Sequence, residues 1–116
     1  MKRRYFKAKK EKGVMNGTEE WYYSSVLKPR ILSGEVESIE YEALTFKLGD
    51  GSRYTPDFYV VRTDGQAELH ETKGYWREDD RVKIKVAASK YNEFYWYGIR
   101  IGKVKRQYQI LKLEEF

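Results

Sequence analysis

The chain contains no cysteine, so disulfides and thiolate metal sites are excluded and a reducing cytoplasm is permitted. It has one histidine, His70, which argues against a histidine-rich zinc site. No apolar run approaches the ~20 residues that a membrane span requires, so no membrane association is expected. The basic start Met1-Lys2-Arg3-Arg4 leads into no apolar stretch, so no signal peptide is expected either. Internal repeats and an interdomain linker are also lacking. What remains is 116 residues, 41% hydrophobic and 35% charged, which suits one soluble domain with one core rather than a disordered chain.

Net charge is +5, and the excess is uneven. Lys2, Arg3, Arg4, Lys7, Lys9, Lys10 and Lys12 face only Glu11 near the N-terminus, and Lys103, Lys105 and Arg106 form a second cluster. Such patches attract phosphate backbones through counterion release. The plainer alternative for the first is a solubilising tail. Aromatic residues make up 16% of the chain, with 11 Tyr and 3 Trp. Most belong in a core or on strands, and some could stack on bases.

Residues 1–15 read as a basic arm, disordered until a partner binds, and residues 16–116 as one domain. Asn16-Gly17-Thr18-Glu19 is a helix start, a capping residue with Glu three positions on. That helix carries Trp21, Tyr22, Val26 and Leu27 inward, and Pro29 is expected to end or kink it. From Glu35 the pattern turns to strand. Its phase slips near Ala43-Leu44, which predicts a bulge or two strands. Gly49-Asp50-Gly51 and Thr63-Asp64-Gly65 are turns, separating strands that include Arg53 to Val61 and Ala67 to Lys73. Three antiparallel strands are thus expected in succession. Arg77 to Asn92 reads as helix, with Asp79 and Asp80 at its positive end and Ile84, Ala87, Ala88 and Tyr91 on one face. Val82 to Val86 also alternates as a strand would, but Ala87-Ala88-Ser89-Lys90 favours helix. Phe94 to Ile101 and Gln107 to Leu113 read as strands. The class is α+β, a sheet flanked by helices.

Two short strings carry the chemistry: Tyr54-Thr55-Pro56-Asp57-Phe58 and His70-Glu71-Thr72-Lys73-Gly74. Side chains two apart on a strand share a face, so Glu71 and Lys73 point together while Thr72 points away. A hairpin between the two strings would bring Asp57 to them. Two carboxylates and an ammonium suit a metal-dependent phosphodiesterase. Mg²⁺ takes oxygen ligands, here Asp57, Glu71 and the Thr72 carbonyl, with Glu19 as a further acidic candidate. A cation so held lowers the pKa of a bound water and neutralises a scissile phosphate. Lys73 would orient the hydroxide or hold the phosphate. Each residue also has a plain alternative. Asp57 after Pro56 could be a turn residue. Glu71 and Lys73 could be an exposed ion pair worth ~0–1 kcal/mol, and Glu19 could serve only as the capping-box acid. His70, on the opposite face from Glu71, reads as a core neighbour or surface residue rather than a general base.

The longer run Tyr54-Thr55-Pro56-Asp57-Phe58, Glu71-Thr72-Lys73-Gly74-Tyr75-Trp76 and Asp79-Asp80-Arg81 resembles the endonuclease I family of T-odd bacteriophages. These enzymes resolve four-way DNA junctions and belong to the PD-(D/E)xK nuclease superfamily. Gly17-Thr18-Glu19-Glu20 is similar to the family's first-helix acidic motif, and Glu71 to Ala88 resembles small phage-encoded endonuclease-like proteins. The similarity covers roughly residues 16 to 100. The interval from Asp57 to Glu71 is longer than in that family, and residues 102–116 depart from it.

The resemblance implies a restriction-endonuclease-like core and a catalytic set of Glu19, Asp57, Glu71 and Lys73. It implies Mg²⁺ or Mn²⁺, with hydrolysis leaving a 5′-phosphate, and a homodimer, since resolution takes two cuts. If the chain is phage-encoded, its place is the cytoplasm of the bacterial host. DNA contacts are expected from Lys2, Arg3, Arg4, Lys9 and Lys10 in the arm and from Arg77, Arg81, Lys83 and Lys85 beside the site. Three other readings stay open: a nuclease for flaps, nicks or restriction-like sites, a non-catalytic nucleic-acid-binding module, and a protein-interaction domain.

Overall fold

Asn16 caps the first helix as its spacing to Glu19 predicts. The structure is a computed structural model and describes residues 5–7 and 13–111. The Asn16 side chain accepts from the Glu19 N–H at 2.8 Å, and the Glu19 carboxylate accepts from the Asn16 N–H at 2.9 Å. The helix does not end at Pro29. It runs as α1 (Gly17–Tyr22), a π-helical stretch (Tyr23–Leu27) and α2 (Lys28–Leu32). Lys28 donates its N–H to the Tyr23 carbonyl, five residues back. Pro29 has no N–H to offer Ser25 and its ring crowds that carbonyl; the wider turn accommodates both. Tyr22 and Leu27 are buried, with Trp21 and Val26 partly so.

The remaining elements are β1 (Tyr5–Lys7), β2 (Val36–Tyr41), β3 (Leu44–Lys47), β4 (Arg53–Tyr54), β5 (Phe58–Arg62), β6 (Ala67–Lys73), α3 (Glu78–Lys90), β7 (Tyr95–Ile101) and β8 (Tyr108–Leu111). They build a five-stranded mixed sheet in the order β2-β5-β6-β7-β8 and a three-stranded antiparallel sheet in the order β1-β3-β4. The phase slip at Ala43-Leu44 marks where the chain leaves one sheet for the other. Glu42, at φ 49°, makes the corner. The expected strand from Arg53 to Val61 is two strands. Pro56 cannot donate to a ladder, so pairing stops after Tyr54 and resumes at Phe58 in the other sheet. The three successive antiparallel strands of the large sheet are therefore β2, β5 and β6, with β3 and β4 inserted between the first two. β7 then returns parallel to β6 after α3, as a helical crossover allows.

Tyr5–Lys7 are a strand and not part of a free arm. β1 pairs with β3, and the Tyr5 ring lies 5.5 Å from Phe46 and 5.4 Å from Phe94. Packing an aromatic ring against others helps offset the ordering of so short a strand. Phe46 is itself enclosed by Tyr91 at 4.8 Å and Trp96 at 5.0 Å. One face of the large sheet packs Phe58, Val60, Ile99 and Ile101 against Tyr22 and Leu27; a separate cluster joins Ile84 and Ala87 of α3 to Tyr54 and Trp76. No helix among the described residues is long and apolar enough to cross a membrane.

Candidate active site

Asp57 sits where β4 has left one sheet and β5 has not yet begun the other. Its backbone is clamped from two sides. The Glu42 N–H donates to the Asp57 carbonyl at 2.7 Å, and the Asp57 N–H donates to Glu71 Oε1 at 3.0 Å. The left-handed backbone of Glu42 costs about 1–2 kcal/mol for a residue with a Cβ, and it occurs beside the segment whose position matters most. The Asp57 carboxylate, through Oδ2, accepts from the Thr72 N–H at 2.8 Å and the Thr72 hydroxyl at 2.9 Å. The Thr72 side chain therefore does not turn away from the site. Asp57 lies beyond the end of β5, where it reaches Thr72 as well as Glu71.

Glu71 and Lys73 share a face as their spacing predicts, with Nζ 3.6 Å from Glu71 Oε2. Lys73 also lies 3.8 Å from Asp80 Oδ1, so the acidic first turn of α3 abuts the site. This is no exposed surface pair, because Glu71 and Asp57 are 8% and 7% exposed. Burial drives the Asp57 carboxyl well above the usual carboxylate range, and the neighbouring Glu71 charge adds to it. Burial likewise pushes Glu71 up to about 7, against the pull of Lys73. Buried Tyr54 is raised too, by desolvation and then by the charges of Glu71 and Asp57. The pocket thus disfavours holding both carboxyls ionised at once, even with Lys73 beside them.

Glu19 serves as the capping-box acid, and its charge also reaches Asp57. Its Oε1 accepts from Asn16 N–H and from the Tyr41 hydroxyl at 2.8 Å, and its charge contributes to raising Asp57. Among the described residues no three His, Asp or Glu side chains stand as a ready metal cluster. The donor set that is present, two buried carboxylates beside the Thr72 backbone, is of the hard oxygen type that Mg²⁺ or Mn²⁺ takes while keeping several waters. A strand residue's N–H and C=O leave by the same edge, so the Thr72 carbonyl faces the Asp57 side as its N–H does.

Of the expected DNA contacts, Lys2, Arg3, Arg4, Lys9 and Lys10 lie outside the described residues. Arg77 precedes α3 and donates its N–H to Asp80 Oδ2 at 3.1 Å, close to Lys73. Arg81 and Lys83 follow within the next turn. Lys85 is not brought to the site. It shares the outer face of α3 with Val82, Val86 and Ser89, opposite the buried Ile84 and Ala87.

A second polar network was not foreseen. His70, 3% exposed, has Nδ1 2.8 Å from the Tyr22 hydroxyl and Nε2 2.8 Å from Glu68 Oε1. Arg30 closes on both Glu68 oxygens at 2.8 and 2.9 Å. Burial alone would raise Glu68, but Arg30 and His70 overcome it and hold the carboxyl at about 2. Burial lowers His70 despite that carboxylate. The Glu68-x-His70 spacing on one strand face was the available signal. Arg30, on a helix after a proline, offered none. Comparison with family models, curated proteins and solved structures returns no match.

Proposed function

We propose that the chain is a metal-dependent DNA endonuclease, selective for branched DNA in the manner of a four-way-junction resolvase. The observation that carries this reading is the buried Asp57–Glu71 pair with Lys73 beside it at the open end of a strand. Two desolvated carboxylates that repel one another are an unfavourable arrangement in a purely structural protein. A divalent cation relieves it. Asp57, Glu71 and the Thr72 carbonyl would hold Mg²⁺ or Mn²⁺, with Glu19 near enough to influence the pair. The cation supplies an activated water and charge neutralisation at the phosphate. Lys73, 36% exposed at its side chain, would hold the scissile phosphate or orient the attacking water.

The element order supports the same reading. A helix, three antiparallel strands, a helix and a strand parallel to the third agree with the restriction-endonuclease-like core expected from the sequence motifs. The basic balance suits a phosphate polymer as substrate. A homodimer completes the proposal, since symmetric resolution takes two sites.

The test is cleavage of a four-way junction, a flap, a nicked duplex, linear duplex and single strand with Mg²⁺ or Mn²⁺. The junction should be cut in preference, and Asp57→Ala should lower the rate by at least about a hundredfold, the scale on which metal-site support matters. No metal-dependent cutting of any substrate would sink the reading. Retained DNA binding without cutting would favour a non-catalytic module.

A further inference from the structure

The second basic cluster of the sequence is not remote from the carboxylates. The β7–β8 connection closes as a short loop, with the Gly102 N–H donating to the Gln107 carbonyl at 3.0 Å. A Cβ on Gly102 would stand 3.0 Å from the Lys105 carbonyl, so the tight loop favours glycine there. On one side the loop lies against Gly74, the residue after Lys73, where an added Cβ would touch Lys103 at 3.4 Å. On the other, Arg106 Nη1 donates to the Thr18 hydroxyl at 3.2 Å, next to Glu19. The loop therefore bridges two of the segments that present acidic site residues, α1 and the end of β6.

The sheet register extends this patch. Lys73 is the direct partner of Arg100 on β7, and Arg100 that of Gln109 on β8. Partners across a sheet face the same way and stand about 4.8 Å apart, so a cationic row leaves Lys73 and runs outward. Between this row and the loop is a cleft of about 310 Å³, whose walls include Gly74, Tyr75, Arg100, Lys103, Lys105 and Gln109. Tyr75 is 77% exposed. Among the described residues, Arg100, Lys103 and Lys105 have no carboxylate partner, whereas Arg30, Arg62 and Lys73 each have two. Like charges gathered around a cleft, with no carboxylate partner among the described residues, call for an anion.

We propose that Arg100, Lys103 and Lys105 form the seat for the phosphate backbone of DNA running past the carboxylate pair. The identity of the ligand as DNA rests on the nuclease reading above. Arg106 is a positioning residue that ties the loop to α1. The contacts are to phosphate, so they set position and affinity and carry no base sequence.

The test uses the full chain carrying Asp57→Asn, without metal, titrated onto a labelled duplex and a four-way junction over a range of KCl. Each phosphate contact contributes about −0.9 to the slope of log K against log salt. Lys103→Ala and Lys105→Ala should each weaken binding several-fold and flatten the slope by about 1, and Arg100→Ala likewise. Lys103→Arg should keep both, which separates charge from packing, and thermal melting identifies any variant that fails to fold. Unchanged affinity and slope in folded variants would overturn the inference while leaving metal-dependent cutting by the wild type untouched. Weakened, flatter binding by the variants, together with a wild-type chain that cuts nothing in Mg²⁺ or Mn²⁺, would uphold the seat and overturn the nuclease.

Discussion

Asp57 and Glu71 are costly residues, and their cost is a measurable signature. Replacing a raised, buried carboxylate by its neutral amide removes desolvation and repulsion. Asp57→Asn should therefore stabilise the metal-free protein at neutral pH by about 0.5–2 kcal/mol, as relieving a strained site commonly does, while abolishing cutting. Urea unfolding of the two chains measures this, and a less stable Asp57→Asn chain would count against a metal-ready pair. Excess Mg²⁺ should raise the wild-type melting point, by the equivalent of about 3 kcal/mol at a hundredfold excess over Kd. The shift should be larger above pH 7 than below it, because Glu71 gives up its proton near there. It should vanish in Asp57→Asn. Glu68 behaves in the opposite sense. Its folded pKa, about 2, lies below the ordinary 4.5. The stability it contributes is thus fully present above pH 4.5 and lost as pH falls toward 2, to the extent of about 3 kcal/mol. Glu68→Gln should be less stable at neutral pH and show a flatter decline in that acid window.

At the scale of elements, the interruptions position the site. Pro56 stops β4, which frees the backbone around Asp57 to be held by Glu42 and Glu71 instead of by a ladder. Pro29 leaves the helix unbroken but with a π-helical turn, and the far side of that turn brings Arg30 to Glu68. The added sheet depends on its aromatic residues. Tyr5→Ala should cost about 1–3 kcal/mol, with β1 detaching from β3. Hydrogen exchange at residues 44–47 would show it, and unaltered protection there would mean that β1 adds nothing to the fold.

For the whole molecule, the question is whether the chain cuts as a pair. Sedimentation of Asp57→Asn with a four-way junction should show two chains per junction, and one chain per junction would remove the homodimer from the proposal. The positive charge has a direction on this scale. From Lys73 it runs through Arg100 to the β7–β8 loop, whereas Lys85 looks out from the far face of α3. Affinity should accordingly depend steeply on salt, and the dependence should lie in the loop more than in the outer face of α3.

Much of the local structure was legible from spacing alone. The cap at Asn16, the turns at Gly49-Asp50-Gly51 and Thr63-Asp64-Gly65, the α3 helix and the shared face of Glu71 and Lys73 all follow from neighbours a few residues apart. Backbone sterics and side-chain periodicity operate over that range. The phase slip at Ala43-Leu44 was visible too, but not that it sends the chain to another sheet. Four outcomes were decided only by tertiary structure: β1 as a strand, the Tyr22–His70–Glu68–Arg30 network, the turning of Thr72 toward Asp57, and the meeting of Arg100 with the 103–106 loop beside Lys73. Each brings together residues far apart in the chain, the last by setting the exposed loop beside Lys73, and the first three depend on burial, which sequence spacing does not encode. Burial is also what separates Asp57 and Glu71 from an ordinary surface pair. The residue types were present in the sequence; their chemistry comes from the water that the fold excludes.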